Sequence, residues 1–156
     1  MAFRDTLFLK AWAFAKVPMI WLTGASVVEA TDSRCAIRIP FRRRNRNHLG
    51  SVYFGVLCIG ADVAGGFLAM RQIHAGGGGV SLIFKDFRAE FLKRAAGDVL
   101  FTCADGEAIA ALVRQARASG ERENMTVIVV ATVPSKLGEE PVARFELTLS
   151  LKRRDD

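Results

Sequence analysis

The sequence predicts an α+β fold in which an antiparallel β-sheet wraps around one long, apolar central helix. Residues 52–70 are apolar or glycine except for Asp62, a pattern typical of a helix that is buried on all sides. Residues 143–152 alternate between apolar and polar side chains, which is typical of an antiparallel strand with one solvated face. A chain of 156 residues fits one domain, so we expect residues 1–156 to fold as a single unit.

The composition is that of an ordinary globular protein with an excess of positive charge. Hydrophobic residues make up 51% of the chain and charged residues 24%, which excludes a disordered protein. The 22 basic residues outnumber the 16 acidic ones, so the net charge is +6. This excess favours an anionic partner, and nucleic acid, a membrane surface and a phosphorylated small molecule all fit it.

Residues 1–20 are predicted to form an amphipathic N-terminal helix that Pro18 ends. Lys10 and Lys16 interrupt the apolar run that a signal peptide needs, and Asp5 stands where such a peptide carries positive charge. We therefore expect this helix to pack on the domain rather than to attach the protein to a membrane.

The central helix is predicted over residues 49–71. Its apolar stretch would span about 28 Å as a helix, close to the thickness of a bilayer core. However, Asp62 at its centre would cost about 2.5–3.5 kcal/mol in lipid. A helix buried in a soluble domain explains the pattern better than a membrane span. Small residues would let the sheet approach this helix closely, at Gly55, Gly60, Gly65 and Gly66.

Short apolar runs predict six strands and one further helix. The strands are expected at residues 27–30, 33–39, 80–93, 99–104, 125–133 and 143–152. Within the third strand the apolar face switches sides near Lys85 and Asp86, which indicates a β-bulge. After the fourth strand, Asp105 is predicted to cap a short helix that Gly120 ends.

The three cysteines, Cys35, Cys58 and Cys103, stand far apart, and the chain has only two histidines. This spacing fits neither a zinc site nor a disulfide framework. We therefore expect inert free thiols in a reducing, cytoplasmic compartment, and no metal site.

A segment at the start of the central helix, together with the acidic residue inside that helix, resembles a known motif. The segment reads Asn47-His48-Leu49-Gly50-Ser51-Val52-Tyr53-Phe54-Gly55, and Asp62 follows it. With these residues and later segments, nearly the whole chain resembles the phenylacetyl-CoA-thioesterase-like family of hotdog-fold proteins, in a branch of small domains. The resemblance implies the hotdog fold, thioesterase activity and a homo-oligomer, either a dimer or a dimer of dimers.

The resemblance also implies roles for individual residues. Asp62 matches the catalytic acidic residue of the family, Asn47 matches its Asn, and Gly55 matches the second glycine of its His-Gly-Gly motif. The backbone N–H at Phe54 takes the position that polarises the thioester carbonyl. Ser81 stands near the position of a hydroxyl residue that the family takes from the partner subunit.

Two positions depart from the family pattern. Tyr53 stands where the family has His, and Phe54 stands where it has the first glycine. A backbone N–H survives the second change, but the Phe side chain would crowd the substrate. Tyr53 and the neighbouring His48 are expected to contact the substrate.

The residues themselves support this chemistry. Burial in an apolar helix raises the pKa of a carboxyl group, which suits Asp62 as a general base near neutral pH. The helix start supplies free N–H groups and the positive end of a helix dipole. Gly55 and Asp62 are two turns apart and share one face of the helix. Asn47 is expected to orient the attacking water.

Arg42, Arg43 and Arg44 belong to a basic run that precedes the motif. Such a run is either a solvated loop or a contact for the phosphates of coenzyme A or an acidic carrier protein. Because aromatic residues are not interleaved with these arginines, we expect no nucleic-acid partner.

Three functions compete at this point. The first is an acyl-CoA or acyl-carrier thioesterase in which Asp62 assists water attack at a dimer interface. The second is a hotdog protein that binds acyl thioesters without hydrolysing them. The third is a membrane-attached protein that uses the apolar stretch. We prefer the first, with no cofactor beyond the coenzyme A of the substrate and no membrane partner.

Overall fold

The computed structural model describes residues 2–154 and has a six-stranded antiparallel sheet in the order β1-β2-β4-β5-β6-β3. The strands are β1 (Ser26–Ala30), β2 (Cys35–Ile39), β3 (Val80–Phe91), β4 (Val99–Cys103), β5 (Glu123–Thr132) and β6 (Pro141–Arg153). The helices are α1 (Ala2–Lys16), α2 (Pro18–Thr23), α3 (Phe54–Ala75), α4 (Gly106–Ser119) and α5 (Pro134–Leu137). This architecture confirms the predicted α+β class with an antiparallel sheet and a long central helix.

The central helix α3 packs directly on the sheet. At Gly60 its backbone comes so close that a Cβ atom would overlap the ring of Phe101, a side chain with no exposed surface. By length and composition alone α3 could cross a membrane. However, 56% of its most apolar 18 residues are buried inside the protein, which is typical of a helix that packs in a core.

The structure splits the predicted N-terminal helix in two. α1 ends at Lys16, and Pro18 begins α2 instead of ending the first helix. Proline is favoured at the first position of a helix because the N–H that it lacks has no partner there. Gly24, in the left-handed region at φ 73°, ends α2.

The helix α1 is not amphipathic in the way predicted, because it is apolar on both sides. Leu9 and Ala13 are buried against the domain, whereas Phe3, Leu7 and Phe14 are exposed. Two polar contacts fix its position. The hydroxyl of Thr6 bonds to the backbone N–H and C=O of Val27 in β1, at 2.9 and 3.1 Å, and Asp5 pairs with Arg71 of α3 at 3.4 Å.

The central helix runs from Phe54 to Ala75 instead of over residues 49–71. It starts later because residues 47–52 form a hydrogen-bonded loop, in which the N–H of Asn47 donates to the C=O of Ser51 at 2.8 Å. At its C-terminal end, Arg117 of α4 donates to the C=O of Ile73 in the last turn and to the C=O of Gly78 in the loop that follows, which ties the helix end to α4.

Strand β3 lies at one edge of the sheet and pairs only with β6 within residues 2–154. Its register shifts between Phe84 and Phe87, which confirms the bulge predicted near Lys85 and Asp86. The strand is long, and Ile83, Phe87 and Phe91 are exposed on it. An exposed apolar edge of this kind is a ready site for pairing with another strand.

Asp105 precedes α4 as predicted, but its side chain does not cap the helix. The carboxylate instead accepts a hydrogen bond from the backbone N–H of Ile128 in β5, at 2.7 Å. The amphipathic face of α4 is as expected, with Ile109, Leu112, Val113 and Ala116 buried and Gly120 ending the helix.

Candidate active site

Asp62 lies in the wall of an apolar cavity between α3, β3 and the N-terminal helices. The cavity has a volume of about 460 Å³, which is within the range of ligand pockets. Trp12 and Ile20 line it from the N-terminal side, and Leu82 and Phe84 line it from β3. A single carboxyl group therefore faces a space that is lined mostly by apolar side chains.

The carboxyl group of Asp62 is only partly solvated. Burial raises its pKa from 3.8 to about 6. Burial is the only cause of this shift, and no ion pair within the described chain involves Asp62. A carboxylate with this pKa is mostly ionised at neutral pH and still accepts a proton readily, which is what a general base requires.

The start of α3 offers free hydrogen-bond donors. Tyr53 is the N-cap residue, and its C=O accepts the N–H groups of Val56 and Leu57 at 2.9 and 3.2 Å. The N–H groups of Phe54 and Gly55 have no acceptor among residues 2–154. Two unpaired donors at the positive end of a helix dipole can stabilise a developing oxyanion.

Aromatic side chains surround these donors. The rings of Tyr53 and Phe54 pack edge to face, with their centroids 4.8 Å apart. The ring of Phe54 packs in the same way on that of Phe91 in β3, with a centroid distance of 6.2 Å. The ring of Tyr53 covers Gly55 so closely that a Cβ atom there would clash with it. Phe54 itself is 57% exposed, and its backbone N–H remains available because a side-chain substitution does not remove it.

Asn47 holds the loop before α3 together. Its Oδ1 atom accepts hydrogen bonds from the N–H of Leu49 at 3.0 Å and from the N–H and hydroxyl of Ser51, both at 3.2 Å. These three hydrogen bonds occupy Oδ1 of Asn47, the oxygen that was expected to orient the attacking water. His48 is exposed in the same loop, and neither residue lines the cavity beside Asp62.

Ser81 lies at the start of β3, where its hydroxyl donates to the C=O of Lys152 in β6 at 3.0 Å. Its neighbours Val80 and Leu82 line the cavity. Because successive side chains of a strand point to opposite faces, Ser81 points away from the cavity of its own chain.

The basic run lies on the surface beside the loop that leads into α3. Arg42, Arg43 and Arg44 are exposed, and no ion pair within the described part of the chain involves them. Arg44 lies close to Gly24 at the end of α2. The run does not line the cavity beside Asp62.

Sequence reasoning missed three residues that shape this region. His74 and Arg154 line the same cavity as Asp62, although both are distant in sequence from the motif at the start of α3. Asn45 is buried and holds the entry loop: its Nδ2 donates to the C=O groups of Thr23 and Pro40, both at 2.8 Å. Its position two residues before Asn47 is the only signal that the sequence offers for it.

The cysteines behave as inert core thiols. Burial raises the pKa of Cys35 to about 12 and that of Cys103 to about 11, so neither forms a reactive thiolate near neutral pH. Cys58 is half-buried, and burial raises its pKa as well. Residues 2–154 contain no cluster of three metal-ligating side chains.

An antiparallel sheet packed around a long apolar helix is the hotdog arrangement. Residues 5–151 match the family model described as domain of unknown function DUF4442, so the chain belongs to that family. No curated protein matches the chain.

Solved structures share this fold. A Pseudomonas aeruginosa protein described as a probable thioesterase is 23% identical, with a TM-score of 0.79 over 96% of each chain. A Chlorobaculum tepidum protein of unknown function is 12% identical, with a TM-score of 0.84 over 98% of this chain and 97% of that one. A Haemophilus influenzae thioesterase is 11% identical, with a TM-score of 0.63 over 90% of this chain and 86% of that one. The predicted hotdog fold is confirmed.

Asp62 makes the stability of the protein depend on pH. Because its pKa is raised from 3.8 to about 6, the folded state binds this proton more tightly than the unfolded chain does. Its contribution to stability is therefore complete below pH 3.8 and is lost as the pH rises through about 6. Asp62→Asn should raise the free energy of unfolding at pH 8 by on the order of 2–3 kcal/mol and change it little at pH 4.

Urea denaturation at several pH values measures this effect. The exposed Asp32 provides a matched control, because Asp32→Asn makes the same chemical change outside the cavity. Equal effects of the Asp62 substitution at pH 4 and pH 8 would contradict the raised pKa.

Proposed function

We propose that the protein hydrolyses acyl thioesters, of coenzyme A or of an acyl carrier, with Asp62 as the general base that activates water. The observation that carries the proposal is the carboxyl group of Asp62, which is half-buried, unpaired and set in the wall of an apolar cavity. An apolar cavity suits an acyl chain, and a carboxylate with a pKa of about 6 suits a base. The reaction needs no cofactor beyond the coenzyme A of the substrate, and we expect it to take place in the cytoplasm.

The carbonyl of the thioester also needs hydrogen-bond donors. In one copy of the chain, Phe54 and Asp62 are eight residues apart on α3, which separates them by about 12 Å along the helix axis. A reacting carbonyl must lie about 3 Å from both the donors and the attacking water. One copy therefore cannot place both groups on the same substrate.

A second copy of the chain resolves this separation. We propose a homodimer in which the donors at Phe54 and Gly55 of one copy face Asp62 of the other. The unpaired edge of β3 supports the arrangement, because a long exposed strand with apolar side chains can pair with its equivalent in another copy. The aromatic contact between Phe54 and Phe91 places the helix start next to this edge. A dimer of dimers is compatible with the same pairing.

One observation favours the alternative of a protein that binds acyl thioesters without hydrolysing them. The rings of Tyr53 and Phe54 pack against each other at the helix start, with the Tyr53 ring beside Gly55, and side chains of this size leave less room for a thioester carbonyl. A hydrolysis assay with a panel of acyl-CoA substrates separates the two functions.

Asp62→Asn should lower turnover by about 10²–10⁴-fold, since the carboxamide cannot accept the proton of the attacking water. Binding of a non-hydrolysable substrate analogue should remain close to that of the unchanged protein. For the unchanged protein, kcat/KM should fall about tenfold per pH unit below the pKa of Asp62.

The measurement is acyl-CoA hydrolysis across pH 4–9, with Asp32→Asn as the control that keeps full turnover. A folded Asp62→Asn protein with unchanged turnover would exclude Asp62 as the base. An unchanged protein that binds acyl-CoA and hydrolyses none would establish the alternative.

We also propose that Arg42, Arg43 and Arg44 contact the phosphates of coenzyme A or an acidic carrier protein. These arginines are exposed and form no ion pair among residues 2–154, and exposed arginines of this kind form charge-assisted hydrogen bonds with phosphate readily. Changing all three to Ser should weaken the binding of an acyl-CoA analogue about 10-fold or more at low salt and flatten its dependence on salt, with little change in melting temperature.

Calorimetric titration at two salt concentrations tests this expectation. A second triple variant, with Ser at Lys10, Arg114 and Lys136, removes the same net charge from scattered exposed positions and controls for general electrostatics. Equal losses of affinity in both triple variants would contradict a specific contact and would indicate that the basic run is a solvated loop.

A further inference from the structure

We propose that the cavity beside Asp62 selects linear acyl chains by length. It binds chains of up to about 12–14 carbons, and Gly66 and Met70 set this limit. The inference rests on the proposed function, because it takes Asp62 as the place where the thioester lies. It adds the substrate class, which is a straight alkyl chain rather than an aromatic or branched acyl group.

The cavity follows one face of α3. Asp62, Gly66, Met70 and His74 all line it, and they succeed one another at intervals of four residues. Residues at this spacing lie one above another on a helix. The stretch from Asp62 to His74 covers twelve residues, which is about 18 Å of helix. The cavity is therefore elongated and follows this row of side chains, which winds gradually around the helix.

Its polar groups are confined to its two ends. Asp62 lies at one end, and His74 and Arg154 lie at the other, next to the glycine loop at Gly78 and Gly79. Between the ends the walls are apolar side chains of the N-terminal helices, of α3 and of β3, among them Leu9, Trp12, Phe67, Leu82 and Phe84. An alkyl chain is the ligand that such walls stabilise, because every methylene placed between them leaves water.

The length of the cavity translates into a number of carbons. An extended chain advances about 1.25 Å per carbon, from bonds of about 1.52 Å and near-tetrahedral angles. About 18 Å therefore holds about 14 carbons, and slightly fewer if the chain bends. A longer chain would bring its methyl end against His74 and Arg154, where further burial of apolar surface stops.

Gly66 keeps the passage next to Asp62 open. A Cβ atom there would lie 3.5 Å from the ring of Phe84 and 3.7 Å from Oδ1 of Asp62, so a side chain fits but would fill the cavity. The adjacent Gly65 faces the sheet, where a Cβ atom would lie 3.4 Å from Cγ2 of Val127. The two glycines thus provide a blocking position and a matched control on the same helix.

The test is the binding of S-alkyl-N-acetylcysteamine thioethers with 4 to 18 carbons, measured by calorimetry. These probes keep the sulfur and the chain but replace the thioester with a thioether, so they have no thioester bond to hydrolyse. The affinity of the unchanged protein should rise about fourfold per methylene up to about 12–14 carbons and then level off. Gly66→Leu should move this point to about 4–5 carbons and Met70→Trp to about 9–10, in proportion to their distances of about 6 and 12 Å from Asp62. Gly65→Ala should leave it unchanged.

Several results would overturn the inference: no binding at any length, a levelling point that the variants at Gly66 and Met70 do not move, or a phenylalkyl probe that binds more tightly than the alkyl probe of equal length. If Gly66→Leu does not fold, Met70→Trp gives the same test further along the cavity. Parallel hydrolysis assays with the matching thioesters separate the two proposals. Length-dependent binding without hydrolysis would support selection by chain length and exclude thioesterase activity. Hydrolysis with a length limit that the variants do not change would support thioesterase activity and exclude selection by this cavity.

Discussion

The structure depends on one constraint, which is that a helix apolar around its whole circumference must be covered on every side. The sheet covers one side of α3, closely enough that Gly60 meets the ring of Phe101 without room for a side chain. Helix α4 also packs against α3, whereas the N-terminal helices and the edge strand β3 pack against it less extensively, and the space between them is the cavity beside Asp62. A carboxyl group facing this gap is desolvated but not paired, so the incomplete cover of the helix and the raised pKa of Asp62 have the same origin.

The ionisation of Asp62 lowers the stability of the fold, yet the proposed function requires it. Above a pH of about 6 the ionised carboxylate of Asp62 destabilises the fold, and only the ionised form can act as a base. The free N–H groups of Phe54 and Gly55 are a second unmet requirement, since most helix starts satisfy their donors with a capping side chain. In the proposed dimer, a substrate carbonyl would lie between the free N–H groups of one copy and Asp62 of the other.

Periodicity made the fold predictable, and contacts distant in sequence limited what could be predicted of the site. The run around Asp62 and the alternation in β6 are local patterns, and the switch of parity at Lys85 and Asp86 located the bulge correctly. The prediction that Pro18 ends a helix is wrong, because a proline can either end a helix or begin one, and the outcome depends on packing. Asn47 carries a hydrogen-bonding role in its loop that its residue type does not reveal. His74 and Arg154 join the cavity only through folding, so no spacing in the sequence could place them beside it.

The central claim is that two copies of the chain share each active site, and subunit mixing tests it most directly. Phe54→Pro removes one donor N–H at a helix position where proline is tolerated, and Phe54→Ala is the control that loses the ring but keeps the N–H. Asp62→Asn and Phe54→Pro should each be nearly inactive alone. Co-expressed, half of the dimers would be hybrids with one intact site each, so activity should return to about a quarter of that of the unchanged protein. A mixture no more active than the average of the two variants would contradict a shared site.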